Sequence, residues 1–223
     1  MSKIKNMKSK TLFIVTFVLG VAFLASLGAC RKEPNTEDLK LEQVVATDRD
    51  LAANFSDYAT FFISDTVSVV ASASTDSILT GPMALQMVNA VKINMTNKGY
   101  TFRPRAQGLP DLGLRLTVIK DITRTAVCGG WWDGWWGYYP PWYWGCYYCG
   151  GYYYPWCTTY TYTIGTSTLY MFDIKNQGTN HNIRALWGAT MFGVFSTTNN
   201  QTNADLTTTA INQAFAQSTY LKK

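Results

Sequence analysis

Five cysteines are the residues of this chain best placed to do chemistry, and they fall into two groups. Cys30 ends the tetrapeptide Leu27-Gly28-Ala29-Cys30, which resembles a bacterial lipobox. Lys3, Lys5, Lys8 and Lys10 precede it as a basic n-region, and Thr11 to Ala25 is nearly all apolar. Charge, then a short apolar run, then small residues is the order of a secretory signal peptide. Cleavage before Cys30 would make it the new N-terminus and the site of lipid attachment, of the palmitate type. Each buried methylene of an acyl chain contributes about 0.8 kcal/mol, so two or more chains hold a protein stably at a bilayer. The competing reading is an uncleaved membrane helix with Cys30 as a bystander. The apolar run is only about as long as the roughly 20 residues a span requires.

The other group is Cys128, Cys146, Cys149 and Cys157. An even number of cysteines outside the cytoplasm reads as disulfide chemistry. Pairing Cys146 with Cys149 makes a tight loop and leaves Cys128 and Cys157 to clamp the base of the segment between them. Free thiols and a four-thiolate zinc site are the alternatives. The zinc reading lacks the second Cys-x-x-Cys pair of ribbon or knuckle sites, so no metal is expected.

The remaining chemistry is thin. His181 is the lone histidine, in the turn-like stretch Gly178-Thr-Asn-His-Asn182, and reads as an ordinary loop residue. One histidine leaves most parts of a catalytic triad or a histidine metal site missing. Gly188-Ala-Thr-Met-Phe-Gly193 lacks the lysine of a phosphate-binding loop. Asp111, Asp121 and Asp173 could supply the acid and base of a glycosidase, but their spacing gives no proximity. The expectation is a non-enzymatic protein without a cofactor.

A second feature is compositional. Between Arg124 and Asp173 the single charge is Asp133, while Trp131, Trp132, Trp135, Trp136, Trp142, Trp144 and Trp156 alternate with tyrosine, glycine and proline. These seven tryptophans are the candidate binding residues. Three readings compete. The segment packs on itself and on a sheet, stapled by the cysteines. Its rings form a surface for a protein or a glycan, since large rigid aromatics dominate interface energetics. Or the rings sit at a lipid headgroup boundary.

Composition bounds the rest. Removing residues 1–29 from 223 leaves 194, with 30–41 as a lipidated cysteine and polar tether and 42–220 as one domain that includes the 128–160 insertion. The formal charge of +5 falls to +1 without the four leader lysines, so no nucleic-acid partner is expected. Partners are then the membrane, through lipid, and a protein or glycan, through the aromatic segment. Arg31 follows Cys30 where an aspartate would retain the protein at the inner membrane, which favours the outer membrane, on its periplasmic or surface face.

The elements that must position these residues follow from periodicity. Leu41 to Ala46 and Ala59 to Ser64 read as strands flanking a turn at Asn54-Phe-Ser-Asp-Tyr58. Pro82 opens a helix with Met83, Met87, Val88, Val91 and Met95 on one face, closed by Gly99. Asp111 to Val118 alternates strictly and continues as a strand to about Arg124. Thr158 to Ile174, with a parity change near Gly165–Thr168, and Ile183 to Phe195 read as an antiparallel hairpin. A last helix covers about Asn203 to Ser218, burying Leu206, Ala210, Ile211, Ala214 and Phe215. The order β-β-α-β-β-β-α predicts an α+β fold: a mostly antiparallel sheet, two amphipathic helices on one face, and a long aromatic hairpin excursion.

Three blocks carry a family resemblance: Asn54-Phe-Ser-Asp-Tyr-Ala-Thr-Phe61, the helix end Asn97-Lys-Gly-Tyr100, and Pro110-Asp-Leu-Gly-Leu114. With Trp187-Gly188 on a later strand, a C-terminal helix and the lipobox, they resemble the bacterial lipoprotein family called domain of unknown function 4136, over roughly residues 42–220. The family pattern has a basic residue between its Trp and Gly that this chain lacks, and a less aromatic insertion. The resemblance implies an envelope lipoprotein with an α+β domain. It assigns no activity and therefore no catalytic residue. The reading is a membrane-anchored envelope lipoprotein with a binding or assembly role. The alternative is an envelope protein that binds or hydrolyses carbohydrate.

Overall fold

The computed structural model describes residues 43–71, 78–120, 124–126, 141–144, 151–156, 160–162, 165–177, 182–195 and 198–223, with the backbone alone for 124–126, 141–142, 151 and 160–162. Eleven strands and two α-helices lie among them. The strands are β1 (Val44–Arg49), β2 (Thr60–Ile63), β3 (Val67–Val70), β4 (Ile78–Leu79), β5 (Thr101–Phe102), β6 (Leu112–Ile119), β7 (Arg124–Ala126), β8 (Gly151–Tyr153), β9 (Tyr160–Tyr162), β10 (Thr166–Asp173) and β11 (Asn182–Phe192). The helices are α1 (Pro82–Asn97) and α2 (Asn200–Gln217).

Nine strands form one sheet along the path β1-β11-β10-β6-β2-β5, with β3 also on β6, β4 on β3 and β8 on β11. The long antiparallel core is β6, β10 and β11, with β1 on the far edge. The sheet is mixed. β2 and β3 both run parallel to β6, β5 runs parallel to β2, and β8 runs parallel to β11. Parallel neighbours need a long crossover, and α1 lies in the crossover from β2 to β5. Phe61 pairs with Leu112 and Ser68 with Thr117, so the β2–β3 side takes seven steps where β6 takes five. The surplus bulges out at Ser64–Thr66, where the Asp65 carboxylate meets the Lys92 ammonium of α1 at 2.6 Å.

Parity on β6 divides the interior. Leu112, Leu114, Leu116 and Val118 join Phe61, Ile63, Leu169, Met171 and Met191 in a core cluster with both helices. Met87, Val88, Val91 and Met95 of α1 and Ala210, Ile211, Ala214 and Phe215 of α2 are all buried there. Pro82 sits in the first turn of α1, where its missing N–H costs nothing. Gly99 follows the helix at φ +96°, the left-handed turn expected of a C′ glycine. α2 begins three residues before its apolar periodicity suggests, because the Asn199 side chain accepts from the Thr202 amide at 3.1 Å and caps it.

The opposite parity holds the main departure from an alternating strand. Arg115 and Thr117 are also buried, and β6 and β10 are covered along their whole length on both faces. What covers the second face is the aromatic insertion. Trp144, Tyr152 and Tyr154 form a second cluster with Tyr170, Phe172, Ile174 and Ile183 of the hairpin, with Tyr143 and Trp156 at its margin.

The expected continuous strand over 158–174 is two strands, β9 and β10. Gly165 stands between them at φ +84°, and its carbonyl accepts from the Val194 and Phe195 amides. A Cβ on Gly165 would lie 2.8 Å from the Phe195 carbonyl oxygen. The left-handed backbone costs a non-glycine residue about 1–2 kcal/mol, and the backbone contact adds to it. Gly165→Ala is expected to destabilise the domain by about 2 kcal/mol or more in urea unfolding. An unchanged midpoint would mean that this turn is built differently.

Candidate functional site

The sequence-predicted residues divide by location. Cys30, Cys128, Cys146, Cys149, Cys157, Trp131, Trp132, Trp135, Trp136, His181 and Asp121 lie outside the described residues, as does the Trp142 side chain. Trp144 and Trp156 are described. Trp144 is 1% exposed, and its indole N–H donates to the Tyr152 hydroxyl at 3.0 Å. The ring lies against the backbone of β6, where a Cβ on Gly113 would come within 2.8 Å of it. Trp156 is half-buried beside Gly188, whose absent side chain also makes room for the Tyr170 ring. These two tryptophans are engaged with the sheet.

The layer they belong to holds a buried cation. The Arg115 guanidinium carbon sits 5.0 Å from the Tyr152 ring centre and 5.3 Å from that of Phe172. The guanidinium also donates to the Tyr154 hydroxyl at 3.5 Å. Arginine over an aromatic face gains up to about 2 kcal/mol when desolvated. Arg115 thus ties two tyrosines of the insertion to the centre of the sheet. Burial pushes the Tyr152 phenol above its usual range, against the opposing pull of Arg115 and the Trp144 N–H.

At the end of the sheet away from β7 and β9, a polar cleft of about 240 Å³ opens between the loop before β2 and the residues that leave β10 and enter β11, Asn176, Gln177 and Asn182. Its floor is the buried Asp173 carboxylate. The Tyr58 hydroxyl donates to it at 2.9 Å, and Asn176 donates to it from both backbone and side chain. Burial comes first, and the Asp173 carboxylate second, in raising the Tyr58 phenol far above its usual value. On the wall stands Arg184, paired with the buried Asp50. Asn54, Asp57 and Asn182 complete the rim.

The blocks that carried the resemblance meet beside this cleft and close on one another. The Asp111 carboxylate accepts from the Ala59 and Thr60 amides at 2.7 and 3.0 Å, and the Asp111 amide donates to the Thr60 hydroxyl at 2.9 Å. The Tyr100 hydroxyl, from the helix-end block, donates to the Phe55 carbonyl at 3.1 Å. Trp187 donates to the Ser218 hydroxyl at 3.0 Å. Asp111 and Asp173 are therefore committed to holding loops. Among the described residues, no three histidine, cysteine or acidic side chains gather as metal ligands.

Residues 45–218 match the family described as Domain of unknown function (DUF4136). A crystal structure of a DUF4136 family protein from Bacteroides thetaiotaomicron VPI-5482 is 33% identical, with a TM-score of 0.67 over 81% of this chain and 97% of that one. No curated protein matches. The chain belongs to the DUF4136 family.

Burial pushes the Tyr100 phenol up to about 12. In the unfolded chain such phenols ionise near 10. Above that pH the unfolded state binds fewer protons than the folded one, so stability falls as pH rises. Urea midpoints are expected to be flat below about pH 10 and to drop toward pH 12, with a shallower drop in Tyr100→Phe. An identical alkaline slope in the variant would contradict the buried, protonated phenol.

Proposed function

We propose that this is a lipid-anchored protein of the outer membrane, non-enzymatic, with its DUF4136 domain held beside the bilayer by acylated Cys30. Its work is association, as a binding or assembly component. The aromatic segment carries that role, with Trp131, Trp132, Trp135 and Trp136 as the contact residues. The leader, the lipobox and Arg31 support the anchor.

The observation that most supports the association role is the attachment of the segment. β7 and β9 pair where the chain leaves and rejoins the hairpin, and Trp144, Tyr152 and Tyr154 fix the returning chain on the sheet. A segment tied to a sheet at both ends loses less conformational freedom on binding than a free chain. Tryptophan and tyrosine are also the residues that most often dominate interface energetics. Among the described residues, no helix is long and apolar enough to cross a membrane.

Two measurements test the proposal. Mass spectrometry of protein from the native host is expected to find Cys30 as an acylated N-terminus and no Met1. An intact Met1 with an unmodified Cys30 would overturn the anchor. Co-purification from native membranes is expected to yield a recurrent partner that is lost at least tenfold when Trp131, Trp132, Trp135 and Trp136 are changed to alanine. Retention of every partner by that variant would remove the segment from the role.

A further inference from the structure

The cleft at the end of the β10–β11 hairpin has chemistry of its own. We propose that it is a binding site for one unit of a neutral sugar, with Asn182 and Arg184 as hydrogen-bonding residues and Tyr153 as a stacking ring.

Size is the first ground. About 240 Å³ is the share of roughly eight waters and falls below the usual lower bound for drug-sized ligands. Such a space takes one small ring. The second ground is the lining. Eight of the eleven residues around the cleft are polar, among them Asn54, Asp57, Asn182 and Arg184. Side-chain amides and a guanidinium beside carboxylates offer donors and acceptors in alternation. That is the complement of neighbouring hydroxyls, each of which both donates and accepts.

Charge argues against an anion. Arg184 is already neutralised by Asp50, and Asp57 and Asp173 add negative charge at the rim and floor. The Arg184 side chain is nevertheless 37% exposed, so its guanidinium can still donate to a neutral hydroxyl.

The ring comes from the neighbouring strand. In the parallel β8–β11 ladder, Tyr153 is aligned with Arg184 and Gly151 with Asn182. Aligned residues share a face, so Tyr153 lies on the cleft side while Tyr152 faces the buried layer. Tyr153 is 53% exposed between two buried tyrosines, Tyr152 and Tyr154. A large exposed ring on the face that Arg184 and Asn182 share suits the apolar face of a pyranose. This proposal uses none of the tryptophans of the association proposal, and either can fail alone.

Saturation-transfer NMR on the full chain tests it, with methyl glycosides of glucose, galactose and N-acetylglucosamine as probes and glucuronate and sulfate as anionic controls. At least one neutral glycoside is expected to receive saturation, and its affinity is expected to fall about tenfold in both Tyr153→Ala and Asn182→Ala. Asn182 is exposed, so its replacement leaves the fold intact. Arg184→Ala is avoided because it would strand the buried Asp50 charge. No transfer to any neutral glycoside would overturn the proposal, as would binding of the anions alone. Neutral binding that survives both variants, or that is lost only when Trp135 and Trp142 are replaced, would place the sugar elsewhere.

Discussion

Close contact between an indole and a glycine sets the terms for this fold. A sheet whose central strands bear apolar side chains on one parity and a mixture of Arg, Thr, Tyr and Phe on the other has two faces to cover. The helices cover one. The second is covered by Trp144, Tyr152 and Tyr154, with Gly113 of β6 making room for the Trp144 ring and Gly188 of β11 for the Tyr170 and Trp156 rings. Burying one large aromatic side chain contributes on the order of 2–3 kcal/mol. Removing the layer would expose Tyr170, Phe172 and Ile174 and return Arg115 to water. The insertion is therefore part of the domain interior at its base, whatever its other rings do.

The same principle explains why the signature residues need not be catalytic. Asp111, Tyr100 and Thr60 satisfy backbone groups where β2, β6 and the end of α1 converge. A buried N–H or C=O left unpaired is costly, and three chain segments that meet at one sheet end leave several. Side chains that complete them are required by the topology itself. The cleft lies just beyond this clasp, so its walls are held by the same bonds.

Much of this was legible in the residues. The 3.6 spacing of Met87, Val91 and Met95 and of Ala210, Ile211 and Phe215 marked both buried helix faces, and the alternation from Asp111 located β6. The parity change near Gly165 marked a real break. Less legible were the parallel partners. Val67–Val70 is short and uniformly buried, without the alternation that identifies a strand facing water on one side. β8 is three residues inside low-complexity sequence, and its pairing with β11 is a property of the fold alone. Alternation on β6 could not reveal a second covering layer over Arg115 and Thr117. The cleft is illegible for a related reason: Asp50 and Tyr58 are more than a hundred residues from Asp173 and Arg184, and no spacing rule joins the two pairs.

The account rests most heavily on the contact of Trp144 with Gly113, and a double-mutant cycle measures it directly. Adding a methyl at Gly113 should destabilise the protein by about 1–3 kcal/mol through overpacking, and Trp144→Ala should cost about 3–5 kcal/mol. With the indole gone, the added methyl meets chiefly the Ile174 side chain, at 3.0 Å, and should cost clearly less, leaving a coupling of about 1–3 kcal/mol. If Gly113→Ala costs the same with and without the indole, the ring does not lie over that glycine, and the second face of the sheet is closed in some other way.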